Sequence, residues 1–185
     1  MSSHESLCGE RIHLRWITSQ DWPVFLQINQ DVQVNRYIRE VEPQSVIAAR
    51  FALCTQGPGL AEGEWQALVI ESLHGDFIGL IGLCLTDDVL QQWELGYLLM
   101  GHQQGKGYAT EAMRLILPWL MATQQVHKVV ARCVLPNVAS ARVLQKCGFQ
   151  QEGVLRQHCQ LRGEWQDECY FGLLAEDYRI AVQSW

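Results

Sequence analysis

The stretch Gln104-Gly105-Lys106-Gly107-Tyr108-Ala109 decides how this chain is read, through its own composition and through what flanks it. Two glycines at the mouth of a helix let successive backbone N–H groups turn toward one point, with no Cβ in the way. The helix N-terminus adds its unpaired donors and the positive end of its dipole. Together these make a seat for a phosphate or pyrophosphate held by main chain. A plain strand-to-helix turn looks similar over six residues, so the flanks carry the argument. Upstream, Trp93, Leu95, Tyr97 and Leu99 recur at every second position, as on one face of a strand. Downstream, Ala109, Ala112, Met113, Ile116, Leu117, Leu120 and Met121 form one apolar helical stripe. The loop is too short for a P-loop and lacks the spacing of a dinucleotide fingerprint, so both nucleotide readings fall away.

Working outward, Arg11–Ile17 alternates as a first strand. Asp21 before Trp22-Pro23 starts a helix that weakens toward Tyr37, with Asn29–Val32 as its breaking point. Pro43-Gln44-Ser45 opens a second helix to about Cys54, and Gly57-Pro58-Gly59 reads as an exposed loop. Trp65–Glu71 and Asp76–Leu85 are strands joined at His74-Gly75, and the strand at 92–99 follows. The long helix covers roughly 106–125, with Pro118 expected to kink or end it on its outer side. A strand at Val126–Leu135 and a short helix at Asn137–Cys147 come next, the latter closed by Gly148. Residues 151–163 fit strand or loop, Glu168–Leu174 is the last apolar strand, and the tail from Glu176 fits a short helix. The order predicts one mixed α/β domain over residues 1–185.

Composition excludes several classes. With 48% hydrophobic and 18% charged residues, the chain has the balance of a soluble globular protein. No apolar run approaches the roughly 18 residues of a membrane helix. Met1–Glu5 lacks the basic start and apolar middle of a signal peptide, which predicts a cytoplasmic protein. The seven cysteines include no Cys-x-x-Cys pair, and the six histidines are dispersed, so structural thiols and no metal site are expected. A net charge of −6 argues against nucleic acid and fits a cationic amine or a basic protein partner.

Beyond these readings, Glu94-Leu95-Gly96-Tyr97, the run Gln104 to Ala112, Asn137-Val138-Ala139-Ser140 and Gly148-Phe149 resemble the GNAT acyltransferase superfamily. Its Gln/Arg-x-x-Gly-x-Gly/Ala signature is met by Gln104, Gly107 and Ala109. The opening Glu10–Arg15 and the late Gly163–Asp167 are similar to the ribosomal-protein alanine N-acetyltransferase (RimJ/RimL-like) branch. The resemblance implies a single-domain GNAT fold, with a central mixed, twisted sheet of about six or seven strands and helices on both faces. It implies an acetyl-CoA-dependent N-acetyltransferase acting on a primary amine, either a protein N-terminal α-amine or a small molecule. Attack would be direct, in a ternary complex. The other reading is an acyl-CoA-binding sensor or interaction module without turnover.

On the same basis, acetyl-CoA would lie between the strands at 92–99 and 126–135, as monomer or homodimer and with neither nucleic acid nor membrane as partner. Its pantetheine would pair with Leu98, Leu99 and Met100. Gln104 and the amides of Gly105, Lys106, Gly107, Tyr108, Ala109 and Thr110 would hold its pyrophosphate. Asn137 and Ser140, three residues apart, share one helix face; the resemblance gives the Asn to the pantetheine and Ser140 to the departing sulfur. Glu94 is the candidate base, through a water, and the N–H near Leu99 the oxyanion donor. Many members carry a Tyr seven residues after the Asn, where this chain has Leu144. Some ribosomal-type members have a Glu five residues before it, where this chain has Arg132, which shifts weight to Glu94, His158 and Asp167. Trp16, Trp22, Tyr37 and Trp165 are candidates to shape the acceptor site, and Glu40, Glu42 and Glu94 to make it acidic if the acceptor is a small cation.

Overall fold

The computed structural model describes residues 6–56 and 61–184; the expected Gly57–Gly59 loop and the Met1–Glu5 segment lie outside them. In chain order the elements are β1 (Leu7–Cys8), β2 (Ile12–Trp16), α1 (Trp22–Gln30), α2 (Val32–Asn35), α3 (Gln44–Cys54), β3 (Trp65–Ser72), β4 (Phe77–Asp87), β5 (Gln92–Leu99), α4 (Tyr108–Thr123), β6 (Lys128–Val134), α5 (Val138–Lys146), β7 (Gln150–Leu161), β8 (Glu164–Leu174) and α6 (Ala175–Ala181). The strands form one sheet in the order β1-β2-β3-β4-β5-β6-β8-β7. Its eight strands, one more than the upper expectation, include the two-residue β1. Every neighbouring pair is antiparallel except β5 with β6.

The break expected in the first helix falls at Asp31, whose backbone is extended and whose carboxylate caps α2 by accepting from the Gln33 and Val34 N–H groups. The buried Asn35 amide then donates to the carbonyls of Ile28 (2.9 Å), Asn29 (3.2 Å) and Asp31 (2.9 Å). It thereby satisfies acceptors that the end of α1 would leave bare. The segment fixed in this way leads into residues 36–39, which border the site described below.

Each sheet face carries its own core. On one, Trp93, Leu95 and Leu99 meet Ala112, Met113, Ile116, Leu117 and Leu120 of α4, as both apolar patterns predict. On the other, Ala67, Val69 and Leu80 meet Phe25, Ile28, Ile47 and Phe51 from α1 and α3. Pro118 is exposed within α4 and does not end it, because the stripe that packs on the sheet runs past it on the far side. Residues 150–161 are a strand, interrupted where Gln157 takes φ 49° between register positions Leu155 and Cys159. β8 begins at Glu164, four residues earlier than expected, because Arg162 and Gly163 (φ 53° and 76°) make a tight left-handed hairpin turn.

Candidate active site

β5 and β6 are paired only at Gln92–Lys128, Trp93–Val129 and Glu94–Val130. Beyond Glu94, β5 keeps pairing with β4 alone and β6 with β8 alone, so the parallel pair opens like a V. Met100 donates its N–H to the Ile78 carbonyl at 3.0 Å, which sets the alternation of the β4–β5 ladder. Tyr97 and Leu99 therefore turn their backbone N–H and C=O away from β4 and into the gap. Of the three residues expected to pair with a pantetheine, Leu99 offers its backbone edge to the gap, Leu98 pairs with β4, and Met100 donates its N–H to β4 and accepts the Gln103 N–H.

A cavity of about 860 Å³ runs through this opening. It is bordered by Gln104, Gly105 and Ala109 at the glycine loop, by Asn137 and Ser140 of the α5 start, and by Arg36, Tyr37, Arg39 and Arg50 beneath the α1–α3 layer. The loop end has the geometry expected of an anion cradle. Gly105 and Gly107 have φ of 75° and 87°, values that side-chain-bearing residues rarely adopt. The first bond of α4 is Glu111 N–H to the Gly107 carbonyl at 3.1 Å, so the N–H groups of Tyr108, Ala109 and Thr110 precede it and face outward. Gln104 is tied to the end of β5 by its amide, 3.1 Å from the Leu99 carbonyl, and the exposed Lys106 ammonium rests on Gln103 at 3.1 Å.

Arg11 is a member of this site that motif reading passed over. Its guanidinium donates to the Lys106 carbonyl at 2.9 Å and to Glu111 at 2.8 Å, and stacks over Tyr108 at 4.9 Å. It ties the loop and the first turn of α4 to the residue just before β2. The sequence showed it only as part of the opening strand and of the Glu10–Arg15 string, neither of which gives information about a contact 95 residues away.

At the middle of the V, Asn137 caps α5 by accepting the Ser140 N–H at 3.3 Å. The Tyr97 hydroxyl donates to the Ser140 hydroxyl at 3.2 Å. Burial pushes the Tyr97 pKa up to about 12, only partly offset by the Ser140 contact, so the phenol keeps its proton. A tyrosine does reach this position, then, but from β5 rather than from the helix position occupied by Leu144. Cys133, also on the cavity wall, is pushed up to about 11 chiefly by burial. Burial likewise raises Cys54 and Cys159, so none of the three cavity thiols is a ready nucleophile.

Glu94 sits at the apex of the V on the face opposite α4, held by Arg132 at 3.0 and 3.2 Å. Glu168 lies 3.8 Å from Arg132 and 3.9 Å from His158, and the Tyr170 ring lies 5.8 Å from the Arg132 guanidinium. Asp167 is turned elsewhere, accepting the Gln157 N–H at 2.9 Å where β7 is interrupted. Among the expected aromatics only Tyr37 borders the cavity. Trp16 is buried edge-on to Trp119 at 6.1 Å on the α4 face, Trp22 packs on Phe51 at 5.2 Å, and Trp165 is exposed. Trp65, which alternation alone could not distinguish, lies across Gly82 and Gly96, where an added Cβ would come within 3.0 and 3.7 Å of its ring.

Of the residues expected to make the site acidic, Glu94 borders the cavity and Glu40 and Glu42 do not, and each is already engaged. Glu42 binds Arg50 and lies 4.0 Å from Arg39, Glu94 binds Arg132, and Glu40 accepts the Arg162 N–H. Among the described residues no group of three His, Cys, Asp or Glu could hold a metal ion. No helix among them is long and apolar enough to cross a membrane.

A family model described as acetyltransferase (GNAT) domain matches residues 11–150. An uncharacterized N-acetyltransferase, YnaD of Bacillus subtilis, is 27% identical over 91% of this chain and 96% of its own length. The ribosomal protein uS5-alanine N-acetyltransferase of Escherichia coli is 30% identical over 45% of this chain and 43% of its own. A spermidine N-acetyltransferase from Vibrio cholerae, solved in complex with CoA and spermine, shares the fold with a TM-score of 0.81 at 20% identity, over 91% of this chain and 98% of its own.

Proposed function

Since the chain belongs to the GNAT acetyltransferase family, and is thus an acyltransferase that uses acetyl-CoA, we propose that it moves the acetyl group directly to a primary amine held beside Glu94. The observation that carries this reading is the continuity of one cavity, from the glycine loop through the V to the Glu94 side of the sheet. Acetyl-CoA supplies the activated acyl group as a thioester. Gly105 to Thr110 hold its pyrophosphate on their amides, with Gln104 and Arg11 keeping the loop in shape. The Leu99 backbone and Asn137 align the pantetheine.

Glu94 receives the amine's proton through a water as the nitrogen bonds to the thioester carbonyl. Arg132 fixes that carboxylate in one orientation. The Leu99 N–H donates to the oxygen that gains charge in the tetrahedral intermediate. When the carbon–sulfur bond breaks, Ser140 donates a hydrogen bond to the sulfur, and Tyr97 donates to Ser140. An ordinary thiol has a pKa of about 8.5, well below the roughly 12 of Tyr97. Tyr97 thus orients the Ser140 proton rather than giving up its own, and the thiolate takes its proton from solvent. The raised cavity thiols support direct attack, since none is poised to carry the acetyl group.

Initial rates with acetyl-CoA and amine varied together test the order of events. Intersecting lines are expected, with Glu94→Gln lowering kcat while acetyl-CoA still binds. Parallel lines, the mark of an acyl-enzyme, would overturn direct attack.

A further inference from the structure

The charges along the cavity are arranged in a way the overall charge does not foretell. The chain carries a net −6, yet the wall under α2 and α3 presents Arg36, Arg39 and Arg50. One carboxylate, Glu42, serves both Arg39 and Arg50. Arg36 lies over the Tyr37 ring at 4.8 Å, and among the described residues no carboxylate comes within ion-pair distance of it. Burial and then the nearby Arg50 press the Arg39 pKa below the ordinary arginine value, a cost that a further anion would relieve. At the apex of the V the sign reverses, with Glu94 and Glu168 against the single Arg132.

From this polarity, and resting on the transferase reading above, we infer that the acceptor is a primary amine that also carries an anionic group: its nitrogen lies at Glu94 and its carboxylate or phosphate is held by Arg36, Arg39 and Arg50. A polyamine brings its second positive charge against three guanidiniums, while the carboxylates that border the cavity among the described residues, Glu94 and Glu168, both lie beside Arg132. An amino acid brings one charge of each sign, in the order in which the cavity presents their opposites. Arginine suits such a group because its fork binds carboxylate or phosphate through two parallel hydrogen bonds.

The test compares amines that differ only in charge: an acidic α-amino acid and an aminoalkylphosphonate, their neutral amide or ester counterparts, spermidine, and short peptides with an acidic or a neutral second residue. CoA release is followed at saturating acetyl-CoA. The anionic member of each pair is expected to have a kcat/KM about tenfold or more above its neutral partner. Activity with the free amino acid or with the acidic peptide identifies which source supplies the shared chemistry. Arg36→Gln should raise KM for the anionic amine and leave KM for acetyl-CoA unchanged. Glu42→Gln, which frees two guanidiniums, should lower it. Opposite signs from neighbouring substitutions are not what a purely structural role produces.

Neutral amines or spermidine turned over as well as the anionic ones would overturn the inference and leave the transferase reading standing. If no amine releases CoA, calorimetry of the anionic amine against the CoA-saturated protein decides. Binding that Arg36→Gln weakens supports the anion site even though the transferase reading fails, and no binding overturns both.

Discussion

Ser140 and Tyr97 are 43 residues apart and meet through one hydrogen bond. If Tyr97 acts only by orienting Ser140, the two must behave as one unit. Ser140→Ala is expected to lower kcat on the order of 100-fold and Tyr97→Phe about 10-fold, each with little change in KM for acetyl-CoA. In a Ser140→Ala background, Tyr97→Phe should cost nothing further, which a double-mutant cycle on kcat measures. With its pKa at about 12, Tyr97 should add no alkaline limb below pH 11 to the rate profile. At this scale the sequence was only partly legible. Ser140 and Glu94 could be picked out because they lie in recognisable strings, and both border the cavity. Tyr97 lay in the same string as Glu94 and on an apolar face, but neither gave it a role, and the Arg132 bond to Glu94 spans 38 residues. Alternation shows which side of a strand a residue takes, not what comes to meet it there.

The glycine loop is the element in which local sequence and local structure agree most closely. Its two positive-φ glycines, the start of α4 directly after the second and the buried stripe below all follow from short-range pattern. Gly107→Ala therefore makes a sharp prediction. It places a Cβ at φ 87°, 3.3 Å from the Arg11 guanidinium that ties down the Lys106 carbonyl. A left-handed conformation costs a residue with a Cβ about 1–2 kcal/mol. Acetyl-CoA affinity measured by calorimetry should fall by about tenfold, with kcat at saturation largely retained. The β7–β8 hairpin shows the opposite case. Its polar, exposed residues 151–163 carry no clear period, and what makes them a strand is pairing with β8 across the Arg162-Gly163 turn, a register that their own side-chain pattern does not show.

For the molecule as a whole, the helical layer of α1 and α3 is joined to the sheet by charge as well as by packing. Arg15 on β2 binds Asp21 at the start of α1 at 2.7 and 2.8 Å, and Glu71 on β3 at 2.5 Å. Burial alone would raise the Asp21 pKa, but the Arg15 guanidinium and the Thr18 N–H and hydroxyl outweigh it and hold the carboxyl below its ordinary 3.8. The sign follows from linkage. A depressed carboxylate contributes its full stability above the ordinary value and loses it as pH falls through the folded-state value. Asp21→Asn should cost about 2–4 kcal/mol near neutrality, and the gap in melting temperature between the two proteins should close as the pH drops below 3.8. The mixed α/β character could be read from element order, whereas the helices on both faces and the parallel pair at 92–99 and 126–135 were expectations of the family resemblance. The point at which that pair parts could not be read. It depends on Glu94 and Val130 being the last residues in register.

The contact between Glu40 and the Arg162 backbone joins the segment after α2 to the tip of the β7–β8 hairpin. That one bond spans 122 residues of sequence and links the helical layer to the sheet edge formed by β7, so a shift of either stretch is passed to the other for as long as the bond holds.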